Sequence, residues 1–434
     1  MKRFKIIMCV LAVGGGISGQ SLAQTGNSTE ARGGSVYSSI GVGFPLDNTS
    51  SGLLSQGIIG LTNVNRETSS LANPGLWAET FYTQAATGLQ LTRSSVENLT
   101  SSGTNVNLET GYLHLLFPIK PGKIGLSIGL YPVTRANYRS VNSNQFQNTP
   151  TNTIDYTNEV QSFGGINKFE VGLGFKIGKN FAIGYAPSVA FMTLKNSEEL
   201  NFNILGYQDH SQETNYSGAT FAHRVGFTGT FNSLFSEDDR FSIGGSVNLP
   251  YTINATKQFT SIKVVEGFEQ EVKLNAGQDE TGDIKMPFEA AFGIGYAPSI
   301  LSNFSLEAQI QNWSGFENEL NRSAEEVMSD RFKIGVGGQY HPYRRNINTF
   351  LSGFKYSAGL SYDSGHLSIA DEDIQTVWFN TGIGIPSKVA SFIDLSIQYG
   401  LRGTTVGDLF EERIWAFGFS VNLTELMFVR PKLR

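Results

Sequence analysis

Phe169-Glu170-Val171-Gly172-Leu173-Gly174-Phe175-Lys176-Ile177 alternates without a slip: the odd-numbered residues are apolar and the even-numbered ones small or charged. In a β-strand successive side chains point to opposite faces, so this stretch has one greasy face and one small or polar face. The same two-residue beat returns at 124–130, 241–249, 332–340, 354–362 and 415–423. A water-soluble sandwich can also alternate in this way. The aromatic on-beat face, the small or charged off-beat face and the number of such segments favour a barrel whose outside meets lipid.

Composition points the same way. The chain has 49 glycines, 12% aromatic residues and only 16% charged residues, against about a quarter charged in an ordinary soluble domain. Lys2, Arg3 and Lys5 precede an apolar, glycine-rich run at 6–17, and Ser21-Leu22-Ala23 supplies small residues before Gln24. That order is expected of an export signal over 1–23, and the run is too short to span about 30 Å of hydrocarbon. Losing its three positive charges takes the formal net charge from −6 to −9, which speaks against a nucleic-acid partner. Cys9, the one cysteine, lies in the signal, so disulfides, thiolate metal sites and thiol nucleophiles are excluded for the remainder. No catalytic residues, metal site or cofactor are expected. The five histidines are scattered, and no His-Glu-x-x-His, phosphate loop or Gly-x-Ser-x-Gly is present.

Residues 24–79 lack the beat and are rich in Gly, Ser, Asn and Thr, yet Ile40, Val42, Phe44, Leu53, Ile58, Ile59 and Leu61 are too apolar for a free tail. They are expected to form a compact plug inside a wall made by 80–434. The wall divides into fourteen strands, near 80–93, 107–118, 123–138, 153–178, 180–194, 217–232, 239–253, 285–298, 303–313, 330–342, 351–363, 373–385, 391–402 and 412–424. Splitting the fourth at Gly164-Gly165 would give fifteen but would put long loops on both sides. Short turns on one side and long loops on the other follow the outer-membrane barrel rule, with both chain ends then on the periplasmic side. The apolar 254–284 connection, with Phe259, Ile262, Val264, Val265 and Phe268, is expected to be a capture loop. Trp313, Trp378 and Trp415 fall near strand ends, where each belongs either to an interfacial girdle or to the buried interior.

Charged off-beat residues belong in the lumen, since Arg or Lys facing lipid costs about 2–4 kcal/mol at mid-bilayer. Arg224, Glu289, Glu307, Arg331, Lys333, Lys355, Asp363, Asp394 and Arg402 fall in this set, and pairing among themselves and with the plug is expected for most. Pro132, after Tyr131 in the third strand, has no N–H for a neighbouring strand and breaks the ladder there. Gly164 and Gly165 on the fourth strand are expected to widen the break. It reads either as a bulge near the rim or as a gap through which an apolar solute leaves sideways.

With these residues in place the chain resembles the long-chain fatty-acid outer-membrane transporter family (FadL and its hydrocarbon-uptake relatives, such as TodX). Ser38-Ser39-Ile40-Gly41 through Leu71-Ala72-Asn73-Pro74-Gly75-Leu76 looks like that family's N-terminal hatch, with Gly75 where the family usually has Ala. Gln311-Asn312-Trp313-Ser314-Gly315-Phe316 is similar to a family segment with Trp-Ser before a Phe, and Tyr131-Pro132 falls at the family's inward kink. The resemblance implies a monomer in the outer membrane of a Gram-negative bacterium. It would take up small hydrophobic molecules passively, with Asn73, Pro74 and Gly75 gating and exit at the wall gap. Relatives of that family also serve as accessory parts of secretion machinery, so a structural or secretion-system role stands as the alternative, and a general porin as a further one.

Overall fold

The computed structural model describes residues 30–31, 34–47, 49–62, 70–149, 152–202, 208–265, 268–272, 279–342, 350–387 and 391–425. The expected export signal lies outside these residues. Fourteen wall strands follow one another, each antiparallel to the next. They are β1 (Thr83–Glu97), β2 (Ser102–Lys120), β3 (Ile124–Pro132, continuing as Thr134–Thr149), β4 (Asn152–Ile177), β5 (Phe181–Phe202) and β6 (His210–Asn232). Then come β7 (Arg240–Asn248, continuing as Tyr251–Val265), β8 (Glu280–Met286, continuing as Glu289–Ser299), β9 (Ser302–Gln311) and β10 (Arg331–Tyr340). The last are β11 (Lys355–Asp363), β12 (Thr376–Pro386), β13 (Phe392–Gly403) and β14 (Glu411–Glu425). β14 pairs with β1 from Glu411↔Glu97 to Glu425↔Thr83, which closes the cylinder. Closure removes the free sheet edges that cannot exist in hydrocarbon.

Alternation decides which face is which. Along β14, Trp415, Phe417, Phe419 and Leu423 are exposed on the outside, while Ile414, Ala416, Ser420 and Asn422 are buried inside. The same split gives outward Leu395 and Ile397 on β13 and outward Phe169, Val171 and Phe175 on β4. This is a β-barrel with the apolar outer face of a transmembrane barrel. The rim with the tight turns after β2, β4 and β8 is taken as the periplasmic one, and the rim towards which β4, β5 and β6 extend as the outer one.

Two features depart from a plain cylinder. Strands β4, β5 and β6 run for 26, 22 and 23 residues, whereas β9 and β10 have 10 each. Crossing the bilayer takes about ten, so one side of the barrel carries a tall sheet on its outer rim. Stretches near 139–152, 195–216 and 254–284, expected as loops, are largely continuations of these strands. Phe259 and Ile262 therefore sit in β7 and pair with Thr214 and Ser211 of β6; the side chains of Val264, Val265 and Phe268 lie outside the described residues. The extension leaves the cylinder at prolines: Pro132 in β3, Pro250 between the halves of β7 and Pro287 between the halves of β8. A residue with no N–H ends a ladder on one side, and the strand bends there.

The second departure is the course of the N-terminal segment. Glu30–Ala31 pairs with the outer end of β2, Glu30↔Thr104 and Ala31↔Asn105. The chain then descends along the inner face to the periplasmic turn after β2, where the Thr80 carbonyl accepts from Gly122 N at 2.9 Å. β1 begins and β14 ends at the periplasmic rim, as expected of the wall, while the first described residues, Glu30–Ala31, lie at the outer end of β2. The N-terminal segment crosses the lumen once before β1 begins.

The tryptophans divide between the two alternatives. Trp415 is outside, near Tyr399 with ring centroids 4.8 Å apart. Trp313 is buried at 2% exposure beside His366, and Trp378 is on the inward face of β12 with Asn380 and Thr376. Trp415 takes the outward alternative, and the inward register of β12 and the turn after β9 carry the other two into the interior.

Phe419→Arg places a charge on the outer face near mid-bilayer. The expected cost is about 2–4 kcal/mol, read as a lower temperature for loss of the folded, fast-migrating band on a semi-native gel. Ser420→Ala, next along the strand but facing inward, is expected to change that temperature far less.

Candidate functional site

The inner face of the wall is built for close contact with a second layer of backbone. Off-beat glycines stand where the N-terminal segment touches: Gly125 under the Trp77 carbonyl, Gly184 under Pro74, Gly244 under the Leu61 carbonyl, Gly335 under Gly57, and Gly337 and Gly359 under the Gln56 carbonyl. Any Cβ at these places would overlap those atoms. The small off-beat residues visible in the sequence are therefore a floor for the segment, not merely a polar lining.

Charges fix the segment on that floor. Glu307, 1% exposed on β9, accepts from four successive backbone N–H groups: Ile59 (2.8 Å), Gly60 (2.7 Å), Leu61 (2.8 Å) and Thr62 (3.2 Å). A buried carboxylate is costly unless its lone pairs are filled, and here the turn fills them. Asp47 pairs with Lys333, and Arg331 grips Asp363 through Nε (2.9 Å) and Nη2 (2.5 Å). Near the outer rim, Glu412 accepts from Val36 N and Ser35 Oγ, both at 2.9 Å, and pairs with Arg402 at 3.2 Å. Arg402 in turn lies over the Phe44 ring at 4.2 Å. Near the periplasmic rim, Glu79 accepts from Thr230 Oγ1 at 2.9 Å and pairs with Arg240 at 3.2 Å.

Asn73, Pro74 and Gly75 sit low in the lumen. Asn73 is fully buried; its Nδ2 donates to the Leu61 and Phe227 carbonyls at 2.8 Å each, and its Oδ1 accepts from Gly75 N at 2.9 Å. Pro74 then starts a 3₁₀ turn, Pro74–Glu79, that rests on β4, β5 and β6. The three residues clamp the segment to the wall and line neither of the cavities described below.

Tyr131 and Arg224 meet at Glu170. Tyr131 Oη donates to Glu170 at 3.0 Å, Arg224 pairs with the same carboxylate, and Arg224 Nη1 reaches the Ala72 carbonyl at 3.4 Å. Glu289 accepts from Asn248 (2.9 Å) and Gln311 (2.7 Å). Tyr131, Arg224 and Glu289 border a cavity of about 80 Å³; Arg331, Lys333 and Arg402 border a second of about 160 Å³ above it. A drug-sized ligand site occupies roughly 300–1,000 Å³ and is mostly apolar. These two cavities are smaller, and charged side chains stand among their apolar lining.

The wall itself is broken beside them. β2 pairs with β3 only from Lys120↔Ile124 to Leu113↔Leu130. Beyond that, the outer half of β3 pairs with β4 on one side, from Ala136↔Gly164 upward. Among the described residues it makes no ladder with the outer half of β2. Between Pro132↔Asn167 and Ala136↔Gly164 the span on β3 is one residue longer than that on β4, a bulge that bends the strand. Gly164 and Gly165, at φ 118° and 135°, adopt a backbone only glycine holds easily, and a Cβ on either would overlap the Thr193 or Thr134 carbonyl. They let β4 follow the bend and remain paired with Leu194 and Thr193 of β5, so they do not widen the break.

Connections at the outer rim fold down over the segment. Tyr37, Leu367 and Ile374 form a buried cluster with Ile40, Phe44, Met328 and Phe410. Tyr37 Oη donates to the Phe410 carbonyl at 2.6 Å. His366, fully buried between Phe44 and Trp313, has no hydrogen-bond partner on either ring nitrogen among the described residues; burial pushes its imidazole down to about 3, with Arg331 adding to the shift. The ring itself is thus held neutral under the lid. Sequence reasoning did not single out Glu170, Glu412, Asp47 or Glu79. Glu170 stood on the off-beat face of the very stretch that decided the fold, and that was the available signal.

A closed barrel of fourteen antiparallel strands, with an apolar outer face, the N-terminal segment against its inner face and an interrupted seam after Pro132, defines a transmembrane-type β-barrel. The chain belongs to the BamG family, whose model matches residues 1–434. Its fold is similar to a Pseudomonas aeruginosa FadL homologue at 10% identity and a TM-score of 0.58, covering 87% of this chain and 99% of that one. It is also similar to the Pseudomonas putida toluene transporter TodX (12% identity, TM-score 0.54, 88% and 99% covered). A third likeness is to the CymD monoaromatic hydrocarbon channel (13% identity, TM-score 0.54, 88% and 99% covered). No curated protein matches the sequence. At these identities the likeness is one of fold.

Glu307→Ala removes the acceptor of four buried N–H groups, each worth about 1–3 kcal/mol when left unmade. The folded band is expected to convert at a clearly lower temperature than wild type, with Glu307→Gln intermediate. Planar-bilayer conductance is expected to rise in the same order. Wild-type melting and conductance in Glu307→Ala would remove the carboxylate from its anchoring role.

Proposed function

We propose that this barrel is a structural, accessory member of an outer-membrane assembly or secretion system, working as a shut barrel in the Gram-negative outer membrane and not as a standing conduit. The observation that carries this reading is the occupied lumen: the N-terminal segment rests backbone-on-backbone against wall glycines, and two cavities among the described residues, of about 80 and 160 Å³, carry Arg224, Glu289, Arg331, Lys333 and Arg402 among their lining. Capturing a fatty chain draws on about 0.8 kcal/mol per methylene moved into a dry apolar site. Cavities of about 80 and 160 Å³ with buried ions in their lining leave little room for that. Membership of the BamG family, as distinct from the hydrocarbon channels it resembles in fold, supports the same choice. A general porin is disfavoured by the same plug.

A second reading is favoured by one specific feature, the ladder break after Leu130 and Pro132. In it the plug rearranges around Asn73-Pro74-Gly75, small hydrophobic molecules such as fatty acids or hydrocarbons pass, and they leave sideways through the wall into lipid. The barrel acts as a monomer without a cofactor or catalysis.

Depletion of the protein separates the two. Under the accessory reading, folded amounts of other outer-membrane barrels or of secreted surface proteins fall several-fold, while uptake of an oleate-like probe is unchanged once barrel levels are taken into account. A tenfold loss of probe uptake with other barrels at normal levels would reject the accessory reading in favour of transport, and Pro132→Ala would then be expected to reduce it.

A further inference from the structure

The rim of tight turns is not evenly charged. Lys120 and Lys123 bracket Pro121-Gly122 in the turn from β2 to β3, and Lys176 and Lys179 stand at the turn from β4 to β5. Register brings the two turns side by side. Ile124 pairs with Phe175, Lys176 N donates to the Lys123 carbonyl at 2.8 Å, and Lys123 N donates to the Lys120 carbonyl at 2.9 Å. Neighbouring strands lie about 4.8 Å apart, so these lysines belong to one patch. Lys120, Lys123 and Lys179 are exposed, and Lys176 is half-buried.

No acidic residue balances the patch locally. Neither 117–124 nor 175–181 contains Asp or Glu, although the chain as a whole carries a formal charge of −6. The carboxylates of adjoining elements are engaged elsewhere: Glu79 with Arg240 and Thr230, and Glu170 with Arg224 and Tyr131. The next tight connection on the same rim has the opposite sign. Between β6 and β7, Glu237 and Asp238 are exposed, while buried Asp239 accepts from Leu234, Phe235 and Ser236 N. Positive charge is therefore a property of one side of the rim and not of the whole.

The neighbours of the lysines fix the kind of partner. Ile177, between Lys176 and Lys179, is exposed on the outer face in line with Phe175, and Ile119 beside Lys120 is exposed as well. Lys179 stands about 7 Å along the chain beyond Ile177 at 3.3 Å per residue, which is headgroup depth. Long lysine side chains lay their stems along apolar surface and set the charge at the interface, where anionic lipids attract them. A soluble acidic protein would have to press on the bilayer to reach turns this short.

We propose that the turns after β2 and β4 form a binding site for the headgroups of anionic phospholipids in the adjoining leaflet, at the foot of the interrupted seam between β2 and β3. The ammonium groups take the headgroup phosphates, and Ile119, Phe175 and Ile177 meet the acyl chains. The site requires a membrane barrel and holds under either reading of the function.

The test uses the barrel in nanodiscs of equal parts phosphatidylethanolamine and phosphatidylglycerol, with the lipids that stay bound after extraction counted by native mass spectrometry. Wild type is expected to retain phosphatidylglycerol about fivefold over phosphatidylethanolamine at low salt. The ratio is expected to fall towards parity at about 1 M salt, where charges act over only about 3 Å. Lys120→Gln, Lys123→Gln, Lys176→Gln and Lys179→Gln together are expected to abolish the preference with the folded band unchanged. The same positions changed to Arg are expected to keep it, and Glu237→Gln with Asp238→Gln not to lower it. Equal retention of both lipids by wild type, a preference indifferent to salt, or an undiminished preference in the folded Gln variant would overturn the site. Binding of a poly-glutamate peptide to the barrel in neutral detergent, without any lipid preference, would assign the lysines to an acidic protein and overturn it equally.

Discussion

Everything in this molecule answers to one constraint: in hydrocarbon each backbone N–H and C=O must find a partner inside the protein. Most strand-to-strand seams, including the one that closes β14 on β1, satisfy it with unbroken or slightly bulged ladders. At the seam between β2 and β3 the ladder stops at Leu113↔Leu130 because proline follows. The rest of the architecture can be understood as the response. The bulge and the two glycines with positive φ keep β3 joined to β4, and the chain's own N-terminal segment takes the empty place.

The interior solves a second problem with the same materials. A barrel of this size encloses more space than its side chains fill, and the segment that fills it is itself full of polar backbone. Glycines on the inner face let that backbone approach, and buried ions such as Glu307 are tolerated because several N–H groups surround them. Buried ion pairs add little net stability, while breaking one by removing a partner is costly. For Arg331, held by Asp363 and Gln311, the gain is placement.

Much of this was legible in the chain. Alternation is a local property, and each strand carries its own copy, so the number of strands and their order could be read from residues such as Phe169, Phe354 and Trp415 without knowing the partners. The break at Pro132 was legible for the same reason, since proline acts on its own backbone. What could not be read was anything set by contacts far apart in sequence. That Glu307 would cap Ile59 to Thr62, that Glu412 would hold Val36, or that Glu30 would lie beside Thr104 depends on how the N-terminal segment is threaded, and no periodicity records that. The tall strands were underestimated for a related reason: above the bilayer both faces are wet, so 139–149 and 195–202 lose the greasy beat while remaining extended. Trp313 and Trp378 could not be placed because an aromatic near a strand end can face either way, and one step of register decides which.

The unequal height of the wall has a consequence for how the protein meets its surroundings. β4, at 26 residues and about 3.3 Å per residue, is roughly 86 Å long, well beyond the bilayer even when strongly tilted, while β10 has 10 residues, about the length that crosses it. Seen from outside the cell, the molecule is a low ring with a single raised screen. Anything large arriving along the membrane plane would be turned aside from one flank and admitted to the other, which gives a cylinder with no internal repeat a front and a back.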